Sequence, residues 1–124
     1  MDHSPGFLRM VDEARPRVRE VTVEEAVALL ASKSPPLLVD VREDAEWLAG
    51  RAAEAVHLGK GVLERDLERM VPEPDREILM YCGGGFRSIL AADAAQKMGY
   101  RRVCSVAGGH KKMVAAGWKM VSGT

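Results

Sequence analysis

Apolar and polar positions along this chain follow two different rhythms. In "TVEEAVALLAS" (22–32), Ala26, Leu29 and Leu30 fall on one side of a 3.6-residue repeat. Thr22 with Glu25 three positions on has the form of a capping box, so a helix is predicted to begin there. "GVLERDLERMV" (61–71) repeats the rhythm, with Val62, Leu63, Leu67 and Met70 expected to face inward. By contrast "LLVDV" (37–41), "REILMYC" (76–82) and "RRVCSV" (101–106) are short apolar runs of the kind covered on both sides in a parallel sheet. "AVHL" (55–58) reads as a further short strand and "REDAEWLAG" (42–50) as a short helix closed by Gly50. "RSILAADAAQKMG" (87–99) reads as a helix ending at Gly99, and "GHKKMVAAG" (109–117) as the last helix.

Strands therefore alternate with helices, which predicts an α/β fold with a mostly parallel sheet and helices on both faces. Ligands in such sheets sit beyond the carboxyl ends of strands. The first twenty residues, with Phe7, Leu8, Met10, Val11 and Ala14 at helical spacing and Pro16 to end or kink the helix, read as an appendage. The expected organisation is thus a helical extension over 1–20 and one domain over 21–124.

Composition narrows the function classes. The chain has 124 residues, 47% of them hydrophobic and 29% charged, the profile of a single soluble globular domain. Lysine plus arginine and aspartate plus glutamate each number 18, so no net charge draws the protein to nucleic acid or an anionic membrane. The start "MDHSPGFLRM" lacks a secretory signal, which gives a cytoplasmic, reducing location as the expectation. There, Cys82 and Cys104 are expected as free thiols.

The chemistry gathers in "YCGGGFRS" (81–88). A tight turn of Gly83, Gly84 and Gly85 between a strand end and a helix start collects backbone N–H groups around one concave side, and the helix adds its positive dipole end. The glycines allow positive φ and keep β-carbons out of the way. A thiol at the focus of such a nest has its charged form favoured, which makes Cys82 a candidate nucleophile. Arg87 can either hold an oxyanion or pair with an acidic neighbour and brace the loop. Cys104, inside a strand with no glycine loop after it, reads as structural.

The spacing of this loop discriminates between chemistries. Cysteine phosphatases place five residues between cysteine and arginine, whereas here Gly83, Gly84, Gly85 and Phe86 are the whole gap. In this the sequence resembles the single-domain branch of the rhodanese family of sulfurtransferases. "LLVDVREDAEW" is similar to that family's Asp-Val-Arg motif with its downstream acid and aromatic, here Asp40, Val41, Arg42, Glu46 and Trp47. "AGRAAEAVHLGKG" and "VAGGHKKMVAAGW" resemble the segments that follow, with departures at Arg51, Ala53, Glu54, His110 and Met113.

The resemblance implies a central, mostly parallel five-stranded sheet. It also implies a sulfur transfer in which Cys82 becomes a persulfide, with Gly83, Gly84, Gly85, Phe86, Arg87 and Ser88 binding the substrate. Thiosulfate or a persulfide is the implied donor, cyanide or a thiol the acceptor, and a sulfur-carrying protein a further partner; no cofactor is expected. Two other readings stay open: a non-catalytic protein-binding module on the same fold, and a phosphatase or arsenate-type reductase.

The remaining polar residues have plainer readings. Asp40 and Arg42, at the end of a buried strand, are expected to form a structural ion pair or to cap a loop. His57 and His110 lack a second ligand at metal spacing, so no metal is expected. Met70, Met80 and Met98 read as packing, Trp47 as a core anchor, and Lys111 and Lys112 as a solvated face.

Overall fold

The computed structural model describes residues 3–124. A five-stranded sheet, parallel throughout, is formed by β1 (Arg19–Val21), β2 (Leu37–Asp40), β4 (Val56–His57), β5 (Ile78–Tyr81) and β6 (Val103–Val106), in the order β1-β6-β5-β2-β4. The expected α/β class and five-stranded sheet are both present. Two further strands, β3 (Arg51–Ala52) and β7 (Met120–Val121), pair antiparallel and tie the carboxyl end of the chain to the body.

The apolar runs form strands because both of their faces are covered. Ile78 and Met80 of β5 point to one core with Val39, and Leu79 and Tyr81 to the other with Leu38; all four residues of β5 are fully buried. This period of two puts α1 (Pro5–Ala14), α4 (Leu63–Met70) and α5 (Arg87–Lys97) on one face. On the other face lie α2 (Val23–Leu30) and α6 (Gly109–Ala115). It also separates the two cysteines, since Cys82 lies in the first core and Cys104 in the second, and both are free thiols.

Local signals explain the ends. Thr22 and Glu25 exchange the two capping-box bonds at 2.9 and 3.0 Å. The short α3 (Asp44–Ala49) is started by a similar box between Glu43 and Glu46. Pro16 sits in a 3-10 turn, Arg15–Arg17, directly after α1.

Expectations for three residues are corrected. Val62 and Met70 are 37% and 39% exposed: Val62 belongs to the 3-10 turn Lys60–Val62 before α4, and Val71, one residue past the helix, takes the buried place expected of Met70. Trp47 is only half-buried, stacked between the His57 ring at 4.7 Å and the Arg51 guanidinium at 4.3 Å. β1 gives no sequence signal because Val21 is its one buried residue.

The amino-terminal helix is docked on the domain. Val11 and Ala14 are buried against the first core, Arg17 holds Asp93 of α5 through two bonds of 2.9 Å, and the Gln96 side chain donates to the Arg17 carbonyl.

Candidate functional site

β5 occupies the centre of the sheet and delivers Cys82 to its carboxyl edge, where the chain turns into α5. The Cys82 sulfur accepts the Gly85 N–H at 3.2 Å and the Ser88 N–H at 3.3 Å, with the Ser88 hydroxyl at 3.4 Å. Behind it, the Ser88 and Ser105 hydroxyls are 2.7 Å apart, both residues wholly buried. When the sulfur is a thiolate it can only accept, so Ser105 donates to Ser88 and Ser88 to the sulfur. The N–H groups of Gly83, Gly84, Phe86 and Arg87 donate to no acceptor among the described residues. They remain open to an anion brought to the loop.

Positive φ is needed at one of the three loop glycines. Gly85 has φ +98°, and a β-carbon there would stand 2.9 Å from the Gly108 nitrogen. Of the freedom that the three glycines allow, positive φ is used at Gly85, and not at Gly83 or Gly84. At Gly84 a β-carbon would meet nothing within 4 Å, and at Gly83 it would press on the Arg87 guanidinium at 3.0 Å.

A second glycine turn braces the first. Gly108 and Gly109 both have positive φ, and the start of α6 is bonded to the loop: His110 N–H donates to the Cys82 carbonyl at 2.7 Å, and Lys111 N–H to that of Gly83 at 3.1 Å. The signal was present in sequence as a strand, two glycines and a helix start, the same arrangement that follows β5.

Arg87 is paired with an acidic neighbour that braces the loop. Its guanidinium forks onto Glu46 of α3 at 2.7 and 2.9 Å. The Arg87 bonds hold the Glu46 carboxyl down at about 2, against the burial that opposes them, and Glu46 holds the Arg87 cation correspondingly firmly. Glu46 also accepts the Glu43 N–H at 3.1 Å, so one carboxylate starts α3 and anchors the cysteine loop.

The other candidates lie around this centre. Asp40 and Arg42, 0% and 4% exposed, form the expected buried ion pair at 2.7–3.1 Å; Arg42 also donates to the Gly50 carbonyl. Tyr81 accepts the Ala52 N–H through its hydroxyl. His57 bonds the Arg42 carbonyl at 2.8 Å through Nε2. His110 lies over Tyr81 with its Nε2 buried and unpartnered, and burial holds its imidazole toward the neutral form. Burial also pushes the Cys104 thiol up, as suits a packing residue. Lys111 and Lys112 are exposed, as expected, while Met80 is fully buried and Met98 half-buried.

Cys82 itself is 1% exposed and forms part of the floor of a cavity of about 610 Å³, with Gly84, Phe86, Arg87 and Glu46 around it. His3, Ser4 and Phe7 complete the wall. These three, and Ser105, were missed by sequence reasoning. A hydroxyl among the apolar residues of β6 was the available hint for Ser105; nothing local announces where α1 docks.

Comparison with known proteins agrees with this geometry. The family model of the rhodanese-like domain matches residues 22–116. A protein of Allochromatium vinosum named sulfurtransferase is 33% identical over 92 residues, which cover 74% of this chain and 84% of that one. A tRNA uridine(34) hydroxylase of Protochlamydia amoebophila is also 33% identical, but the match covers 65% of this chain and only 27% of the longer protein. Among solved structures, a Rhodopseudomonas palustris protein of unknown function, described as a possible tyrosine phosphatase, superposes with a TM-score of 0.82. It is 30% identical, with 98% of each chain covered.

Proposed function

Because the chain belongs to the rhodanese-like domain family, we propose that it is a sulfurtransferase of the cytoplasm that carries sulfane sulfur as a persulfide on Cys82. One observation carries the reading: the Cys82 sulfur is the point on which two backbone N–H groups and a hydroxyl converge, inside a loop whose other amides have no acceptor among the described residues. Relatives named sulfurtransferase support sulfur transfer in general.

In the first half-reaction the thiolate attacks the outer sulfur of the donor, a sulfur–sulfur bond forms to Cys82, and the donor's own sulfur–sulfur bond breaks. From thiosulfate the leaving group is sulfite, which takes the bonding electron pair. In the second, a nucleophile such as cyanide or a thiolate takes the outer sulfur and returns the Cys82 thiolate, a ping-pong cycle with one activated nucleophile. The amides of Gly83 to Ser88 stabilise the anionic outer sulfur without a change in protein charge. The route needs no cofactor, and a sulfur-carrying protein fits the role of acceptor.

Intact-mass measurement of the reduced protein after thiosulfate or a persulfide donor, then after cyanide, tests this. The expected result is a gain of one sulfur that maps to Cys82 and disappears with cyanide. Cys82→Ser abolishes the gain, and Cys104→Ser retains it because Cys104 lies in the opposite core. Failure of every donor to load Cys82 overturns the proposal in favour of a binding module. Hydrolysis of phenyl phosphate in its place would favour a phosphatase, a reading that the four-residue gap and the engagement of Arg87 by Glu46 disfavour.

A further inference from the structure

The docked amino-terminal helix changes the character of the cavity over Cys82. Its first turn carries Phe7 to the side chain of Phe86, the loop residue just before Arg87, and His3, two residues ahead of the helix, meets the same ring. The three rings form one cluster: His3 meets Phe86 edge-on at 4.8 Å, Phe7 meets Phe86 at 6.5 Å, and His3 meets Phe7 at 5.3 Å. Helix α1 is fixed by Val11, Ala14 and the Arg17–Asp93 fork, so this wall is built into the fold. Among the described residues that line the cavity, Arg87 is the one lysine or arginine, and its fork is taken by Glu46. The loop amides can take the transferable sulfur of any donor, but the second charge of a dianion loses water and meets a neutralised cation, whereas an apolar group meets aromatic surface. Phe7 and Arg87 also line a neighbouring cavity of about 630 Å³, where Met10 and Leu90 are apolar and Lys60, Glu43 and Asp44 are charged.

We propose that Phe7, His3 and Phe86 form a specificity wall that seats the carbon skeleton of an organic sulfur donor. The substrate class is then a singly charged or neutral donor bearing an apolar or aromatic group, such as an organic persulfide, in preference to the thiosulfate dianion. This rests on the sulfurtransferase reading of Cys82. With a hydropersulfide, the Cys82 thiolate attacks the terminal sulfur, the sulfur–sulfur bond of the donor breaks, and the organic thiolate leaves with the electron pair. Charge and sulfur count are the same on both sides, and neither an oxidant nor a reductant is consumed.

Benzenethiosulfonate and methanethiosulfonate test the wall, because both are monoanions with the same transferable sulfur and a sulfinate leaving group, and they differ in the ring. Transfer to cyanide is measured for each, normalised to its reaction with a free thiol, with thiosulfate alongside. The wild-type protein is expected to favour the aromatic donor over the methyl donor by about tenfold in kcat/KM, the scale of a modest apolar contact in a pocket. In Phe7→Ala that preference falls to about twofold, with the methyl donor little changed and the loss carried mainly by KM. Phe7→Leu keeps an intermediate preference.

His3→Ala, at a residue outside the buried core, repeats the test without endangering the fold and should lower the preference about threefold. A preference unchanged in both alanine variants, or rates that fall equally for both donors, overturns the wall while leaving sulfur transfer standing. Absence of sulfur on Cys82 by mass with every donor overturns the sulfurtransferase reading itself, and the two failures are thereby distinguished.

Discussion

Substitution of Gly109 by alanine probes how the cysteine loop is held in place. Gly109 has φ +53°, so alanine there incurs the left-handed strain of about 1–2 kcal/mol. Its β-carbon would also stand 3.0 Å from the Cys82 carbonyl carbon and 3.1 Å from that of Gly83, and closer still to the Cys82 oxygen. The obstacle is backbone on both sides, so no side chain can swing away, and relief requires α6 and the loop to separate. That separation stretches the bonds from His110 and Lys111 to the Cys82 and Gly83 carbonyls, each worth about 1 kcal/mol. The expected loss of stability is about 3 kcal/mol, a large share of the roughly 5–15 kcal/mol of an ordinary domain.

Gly117→Ala is the matched control. Gly117 also has positive φ, at +84°, but a β-carbon there meets nothing within 4 Å, so strain alone applies and the loss should be about 1–2 kcal/mol. Urea unfolding of both variants gives the stabilities, and single-turnover sulfur loading of Cys82 gives the function. A displacement of the sulfur on the order of 1 Å can cost about 10²-fold in rate, so Gly109→Ala should load roughly a hundredfold more slowly under conditions where it remains folded. Gly117→Ala should load at the wild-type rate. Equal stabilities for the two variants, or wild-type loading in folded Gly109→Ala, would refute the claim that the second glycine turn positions the first.

Three further outcomes follow from the same geometry. The Glu46 carboxyl sits at about 2 in the fold against an ordinary 4.5, so its contribution to stability is complete above pH 4.5 and lost as the pH falls through 2. Glu46 is more than a third exposed, which reduces that contribution through screening to about 1 kcal/mol; Glu46→Gln should be less stable by that amount at pH 7, with the gap closing toward pH 2, and a gap constant across this range would exclude the ion pair as its cause. Asp40→Asn leaves the Arg42 guanidinium buried without its counter-charge and should cost about 3–5 kcal/mol in urea unfolding, whereas a loss below 1 kcal/mol would show that the site admits water. Ser105→Ala removes the hydroxyl that steadies Ser88 and should slow sulfur loading roughly threefold to tenfold while stability falls by about 1 kcal/mol; an unchanged loading rate would remove Ser105 from the positioning of the sulfur.

What could be read from sequence was what short-range chemistry determines. β2, β5 and β6 are continuous apolar runs because the sheet is covered on both faces, and the Thr22 box and the turn after Cys82 are local signatures whose meaning does not depend on distant residues. Arg87 was ambiguous for a physical reason: a guanidinium five residues from a cysteine can face a substrate or a carboxylate, and Glu46 is 41 residues away in sequence. The same distance in sequence hid the floor and the wall of the cavity. Ser105 meets Ser88 only because β6 lies beside β5, and Phe7 meets Phe86 only because α1 docks on α5. The loop sequence thus speaks to which atom reacts, while the surroundings that select its partner come from elements far along the chain. On the proposal made above, a helix outside the segment matched by the family model alters which donor is used while the cysteine loop keeps its form.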